Sequence, residues 1–197
     1  MKQIILIYFS VIISLFSSGQ NIGIGTTTPT EKLQVAGNIK STAIIKANDF
    51  QFNSPKTYYY SVSGADFVTK NSNDEIHREG ITSGGAYFLT STEGMVASVH
   101  LPHGATVTKM TVFFQDQGLA VDLMVRLRQN SGLFILASIT SSGAPGDASL
   151  FDNTISNATI NNSTTAYVID AMPVGGTWPG LNMIIHKVII EYQLSQL

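Results

Sequence analysis

The stretch Lys109–Arg128, KMTVFFQDQGLAVDLMVRLR, decides the fold. Met110, Val112 and Phe114 fall on one side of an extended chain, and Lys109, Thr111 and Gln115 on the other, with Phe113 an apolar exception. After Asp116-Gln117-Gly118, the residues Leu119, Val121, Leu123, Val125 and Leu127 alternate with Ala120, Asp122, Met124, Arg126 and Arg128. Successive side chains of an extended chain point to opposite faces, so this alternation marks a half-buried strand. Two such runs around a polar turn predict an antiparallel hairpin.

Working outward, shorter runs of the same kind stand at Tyr58–Val62, Ala86–Thr90, Met95–Leu101, Leu133–Thr140 and Ala166–Asp170. The last, Leu181–Leu194, places Ile184, Val188, Ile190, Tyr192 and Leu194 on one face and Met183, Ile185 and Ile189 on the other. Pro102-His103-Gly104, Ser142-Gly143-Ala144-Pro145-Gly146 and Pro173-Val174-Gly175-Gly176 punctuate these runs, and no helical period is sustained from residue 57 onward. The expectation is an all-β protein whose residues 51–197 form an antiparallel two-sheet sandwich of jelly-roll kind. Apolar side chains on both faces of the last strand predict an intersubunit contact through Ile185 and Ile189.

Composition agrees. Charged residues make up 12% of the chain, about half the usual quarter, while hydrophobic residues reach 44%. A formal charge of −2 gives a phosphate backbone or an anionic membrane nothing to hold, which argues against nucleic-acid binding. The chain has no cysteine, so disulfides, thiolate metal sites and a cysteine nucleophile are all excluded. At the N-terminus, Lys2, the apolar run Ile4–Phe16 and the small residues Ser17-Ser18-Gly19 read as a secretory signal peptide over 1–19, cut after Gly19. The competing reading is a buried N-terminal strand or helix. No later apolar run is long enough to span a bilayer. A secreted or cell-surface location is therefore expected, with no integral membrane segment in the mature chain.

Between leader and sandwich, residues 20–50 contain NIGIGTTTPTEKLQVAGNIK, Asn21 to Lys40. Ile22-Gly23-Ile24-Gly25 alternates a branched side chain with bare backbone, and Leu33 and Val35 restart a short strand. So short a unit cannot bury its own apolar groups, and it is read as a short extended stalk whose Ile22, Ile24, Leu33 and Val35 contact copies of themselves. The motif resembles a segment found after the signal peptide in exported surface or fibre proteins of Bacteroidetes-type bacteria, and is similar to repeats of phage tail-fibre proteins. The resemblance implies a trimeric stalk carrying a β-sandwich knob, a homotrimer in a structural or adhesive role. This chain departs from the pattern in having one copy and no C-terminal chaperone domain. A surface glycan or other envelope proteins are the further partners expected.

No catalytic motif is present, and neither enzyme activity nor a cofactor is expected. His100 and His103 flank Leu101-Pro102 without a third metal ligand at a diagnostic spacing. Asp147, Asp152 and Asn153 sit in what reads as a long polar loop that matches no calcium-binding pattern. His186 reads as a core histidine, and Arg126 and Arg128 as a charged solvent face or an intersubunit pair. The alternative to a structural role is a carbohydrate-binding module. Trp178, in Gly175-Gly176-Thr177-Trp178-Pro179-Gly180, would present an indole to a sugar ring, with Tyr58 and Tyr60 as a second platform. The opposite reading folds Trp178 back to plug the end of the sandwich.

Overall fold

The computed structural model describes residues 21–71, 73–78, 84–132 and 134–196. The leader reading at 1–19 lies outside the described residues. The chain divides into two units, Met1–Asn48 and Asp49–Leu197. In the first, β1 (Ile22–Ile24) pairs in parallel with β2 (Leu33–Val35), Ile22 opposite Leu33 and Ile24 opposite Val35. The Asn21–Lys40 stretch therefore folds back on itself where an extended segment was expected. The reversal is tight: Gly25 takes φ 73°, and a Cβ on it would sit 2.9 Å from Ala36 O. Parallel strands usually need a crossover of about a dozen residues or more. Here the shorter crossing is held by the Asn21 Nδ2 bond to Pro29 O (3.1 Å) and the Thr30 N–H bond to Gln34 Oε1 (2.9 Å).

The second unit opens with β3 (Gln51–Ser63), β4 (Val68–Thr69), β5 (His77–Arg78), β6 (Ala86–Tyr87) and β7 (Met95–Val99). It continues with β8 (Thr106–Asp116), β9 (Asp122–Gln129), β10 (Ile135–Thr140), β11 (Gly146–Asp152), β12 (Tyr167–Val174) and β13 (Met183–Gln196). They form two antiparallel sheets. One runs β10-β9-β12-β7-β4; the other runs β11-β8-β13, with β13 continuing to β6-β5 at one end and to β3 at the other. Leu123, Val125 and Leu127 of β9 and Met110, Val112 and Phe114 of β8 lie buried between them, as the alternation predicts. This is the expected two-sheet sandwich.

Three expectations are corrected. First, β8 and β9 do not form a hairpin but belong to opposite sheets, the chain crossing the sandwich at Gln117–Val121. Asp116, fully buried, anchors this corner. Its Oδ1 accepts from Gly118 N–H (2.9 Å) and its Oδ2 from the Ser141 hydroxyl (2.5 Å), while Ser141 Oγ accepts from Leu123 N–H (2.7 Å). Leu119, beyond the strand, is exposed. The hairpin is instead β9–β10.

Second, Ile185 is not a subunit contact: it is buried in the sandwich, paired with Phe114 on β8 and Ala86 on β6. The ladder between β13 and β8 slips by one residue between Ile185 and Lys187. That bulge at His186 inverts which parity faces inward, so Met183 and Ile185 before it join Val188 and Ile190 after it in one core. Apolar residues on both parities are thus the mark of a bulge. Ile189 remains half-buried on the outer face, opposite Ser61 and Thr111. Third, the polar loop with Asp147 and Asp152 is β11, an edge strand paired with β8 over its whole length.

A short 3-10 turn, Gly64–Asp66, carries the chain from β3 in one sheet to β4 in the other. Ser63 caps it by accepting from Ala65 N–H, and Asp66 accepts from Ser63 N–H (2.9 Å). Only glycine fits at position 64, where a Cβ would lie 2.5 Å from Ile185 O. The described residues contain no helix long and apolar enough to cross a membrane.

Candidate functional site

Because side chains alternate, the outer face of the five-stranded sheet carries the residues that the core rejects. The pairing aligns them in rows. Val68, Val96, Asp170, Arg126 and Ser138 form one, and Ser98, Val168 and Arg128 the next. β4 is two residues long, so it pairs with β7 only at Val96 and Met95, and at Ala97–Val99 the edge of β7 away from β12 has no strand partner among the described residues. A groove of about 1180 Å³ occupies this end of the sheet. Its floor is Val68, Val96, Ser98 and Val168, and Tyr60, Val62 and Asp66 flank it from the β3 side. His100, Asn130 and Asn162 supply polar groups along the rim.

The rim is built rather than loose. Asn162 Nδ2 donates to Leu101 O (2.8 Å), Asn162 N–H to His103 Nδ1 (3.1 Å), and Ile160 N–H to Ala105 O (2.8 Å). These bonds fasten the loop before β12 to the loop after β7. The Tyr167 hydroxyl, buried beside the groove, accepts from Asn161 N–H (2.9 Å). The two histidines of the sequence reading are thus exposed groups of a turn, His100 in the groove and His103 accepting a bond. Among the described residues no group of three or more His, Asp or Glu is placed to hold a metal ion.

Next to the groove floor lies a charged cluster. Asp170 on β12 is 1% exposed although it points to the outer face. Arg126 binds it through Nε (3.0 Å) and Nη2 (2.7 Å), Arg128 through Nε (2.7 Å) and Lys70 through Nζ (3.1 Å). Burial alone would raise the Asp170 carboxyl, but the two arginine hydrogen bonds and the Lys70 charge outweigh it and hold the group below the usual carboxylate range. Conversely, the hydrogen bond to Asp170 raises the Arg126 guanidinium above its ordinary value. Gly94 lets the lysine cross the sheet edge, since a Cβ there would meet Lys70 Nζ at 3.0 Å and Ala171 O at 2.6 Å.

Trp178 does not present its indole to solvent. It is 1% exposed; its Nε1–H donates to Glu93 O (2.9 Å), its backbone N–H donates to Ser91 O (2.8 Å), and its ring meets Phe88 edge-on at 5.7 Å. The glycines around it let the loop fold inward, so the tryptophan closes the sandwich. The two tyrosines separate: Tyr60 lines the groove, while Tyr58 stacks on Tyr192 at 5.8 Å and is not part of it. Asp152, read as a loop acid, accepts from Thr154 and from Ser138 N–H (2.9 Å) on the neighbouring sheet. Asp147 lies 3.6 Å from His186, the bulged residue of β13. Val96, Ser98 and Val168 carried no signal in the sequence, because only strand pairing brings them together.

No model of a known protein family matches the chain, and no curated protein matches it. Several solved structures are similar in fold. One is the CBM36-1 domain of a multidomain xylanase from the hindgut metagenome of Trinervitermes trinervoides, with TM-score 0.47, 10% identity, and coverage of 68% of this chain and 96% of that one. Another is a xylan-binding module CBM15, with TM-score 0.47, 14% identity, and coverage of 72% and 99%. A third is a low-affinity xylan-binding module CBM86 from Roseburia intestinalis, with TM-score 0.42, 14% identity, and coverage of 68% and 96%.

Proposed function

We propose that this chain is an exported, non-catalytic carbohydrate-binding protein whose ligand lies in the groove over Val68, Val96, Ser98 and Val168. The observation that carries the reading is the pairing of an aromatic and aliphatic surface with a fixed polar rim. A sugar ring has a face of C–H groups and an equator of hydroxyls. The first is matched by Tyr60 and the valines, the second by Ser98, Asn130, Asn162 and His100. At about 1180 Å³ the groove exceeds the 300–1,000 Å³ typical of small-molecule pockets, which suits several linked sugar units. The test is calorimetric titration with neutral xylo-, cello-, laminari- and manno-hexasaccharides, repeated on Tyr60→Ala and Ser98→Trp. Ser98 is exposed on the floor, so a tryptophan there fills the groove without entering the core. Binding of at least one probe that Ser98→Trp abolishes at an unchanged thermal midpoint supports the site. Binding by Ser98→Trp at wild-type affinity places it elsewhere.

A second reading concerns the N-terminal unit. Ile22, Ile24 and Leu33 are 61%, 57% and 60% exposed on three-residue strands that bury little of themselves. Self-association of this unit, as the trimeric stalk expects, would cover them. Sedimentation of residues 20–197 against 49–197 tests it: a larger mass for the longer chain alone supports it, and monomers in both reject it.

A further inference from the structure

The cluster around Asp170 neutralises far less positive charge than it gathers. Three cations, Lys70, Arg126 and Arg128, meet one carboxylate, which leaves an excess of two positive charges. The whole chain has 11 Lys and Arg against 13 Asp and Glu, so this patch runs against the overall balance. It also adjoins the groove. Val168, in the groove floor, is the cross-strand partner of Arg128, and Val96, also in the floor, is that of Asp170.

The geometry suits a second, incoming anion. Asp170 is too deeply buried to meet a ligand, but it fixes three long side chains that are themselves 24%, 23% and 17% exposed. Arg126 spends Nε and Nη2 on Asp170 and Arg128 spends Nε on it and Nη1 on Gln129 O (3.2 Å). Arg126 Nη1 and Arg128 Nη2 lie outside these bonds. Side chains already immobilised lose little entropy when they bind, and a guanidinium held in plane accepts an anion by charge-assisted, directional hydrogen bonds. The other acids near the face are bonded to their own neighbours or stand apart: Asp152, beside the Ser138 that pairs with Arg126, accepts from Ser138 N–H (2.9 Å) and from Thr154. Asp66 stands on the opposite flank of the groove with its Oδ2 bonded to Ser63 N–H (2.9 Å). Asp122 is separated from Arg126 by Met124 along the same side of β9.

We propose that the polysaccharide bound in the groove is acidic, with a carboxylate or sulfate ester on one sugar seated against Lys70, Arg126 and Arg128. This deepens the carbohydrate-binding reading and rests on it. The test is titration calorimetry of the full chain with hexagalacturonate, a carrageenan hexasaccharide and neutral xylohexaose, the first two distinguishing carboxylate from sulfate ester. An acidic probe is expected to bind at least about tenfold more tightly than the neutral one, and to lose about tenfold in affinity from about 50 mM to about 500 mM NaCl. Substituting an arginine strands the buried Asp170 and endangers the fold, so Lys70→Gln and Lys70→Glu are the variants of choice. Lys70 makes one contact at 3.1 Å and is the most exposed of the three. Lys70→Gln should weaken the acidic probe several-fold with the neutral probe unchanged. Lys70→Glu, which sets a second carboxylate beside Asp170 and lowers the thermal midpoint, should weaken it further at temperatures where its circular dichroism matches the wild type. Xylohexaose bound as tightly as both acidic probes overturns the acidic assignment and leaves the groove standing. No binding of any probe removes both. Acidic binding indifferent to Lys70→Glu also overturns the assignment.

Discussion

Replacing Trp178 by alanine tests the most consequential placement in the sandwich. The indole is 1% exposed, meets Phe88 edge-on, and fastens its loop to Glu93 O through Nε1–H. Truncating a buried aromatic to alanine costs about 3–5 kcal/mol, a range that includes the edge-to-face contact. Leaving Glu93 O without its donor adds about 1 kcal/mol or more. Against a domain stability of about 5–15 kcal/mol the loss is severe. At roughly 2–4 °C per kcal/mol for a domain of this size, the midpoint should fall by roughly 8–24 °C. Trp178→Phe keeps most of the ring and forfeits the Nε1 bond, so a loss of about 1–3 kcal/mol is expected. The backbone bond from Trp178 N–H to Ser91 O survives in both variants, which isolates the side chain. Since Trp178 is the only tryptophan, its emission reports burial directly: short-wavelength and poorly quenched by acrylamide in the native state. Equilibrium urea unfolding of both variants, with glycan titration well below their midpoints, completes the assay. Glycan binding lost by Trp178→Ala at wild-type stability would show that the indole faces a ligand, and would refute the reasoning.

Ile185→Asp should unfold the domain, because it puts a charge between Phe114 and Ala86, whereas Ile189→Asp on the half-buried outer face should cost about 1 kcal/mol or less; circular dichroism of the two variants separates them. The Asp170 carboxyl is held below its unfolded value near 3.9, so it contributes stability at and above that pH and loses it as pH falls through the lower folded value. Urea midpoints measured down the acid range should therefore fall less steeply for Asp170→Asn than for the wild type. Ser141→Ala removes the hydroxyl shared by Asp116 and Leu123 N–H at the sheet-crossing corner, and should lower the unfolding free energy by about 1–3 kcal/mol in the same measurement.

Local pattern carried the all-β class and most strands, because inward-facing rows such as Leu123, Val125 and Leu127 are a one-dimensional record of burial. It did not carry partner choice. A hairpin and a chain crossing between sheets share the same local text, two alternating runs around a polar turn, and only the distant pairings of β8 with β13 and β9 with β12 distinguish them. The bulge at His186 is likewise silent in sequence, so Met183 and Ile185 read as a second apolar face when they belong to the first. β11 escaped notice since an edge strand such as Gly146–Asp152 needs no buried alternation. Of the groove, Tyr60 was legible as an aromatic near a strand. Val96, Ser98 and Val168 become a surface only through cross-strand register, and Asp170 gains its meaning from Lys70, a hundred positions away in the chain.

The pairing of β3 with β13 has a mechanical consequence. The register runs from Lys187 opposite Ser63 to Gln196 opposite Gln51, so the two ends of the sandwich leave it side by side from one corner. Tension applied through those ends would open the ladder one bond at a time, like a zip, instead of loading all its bonds at once in shear. The domain would therefore yield early under a pull along the chain. The same adjacency means that a short linker could join Gln51 to Gln196, with new ends opened in the Ser142–Pro145 turn, leaving the groove floor uncut. The domain in its natural order would also fit into a surface loop of a host protein, entering and leaving through a single point.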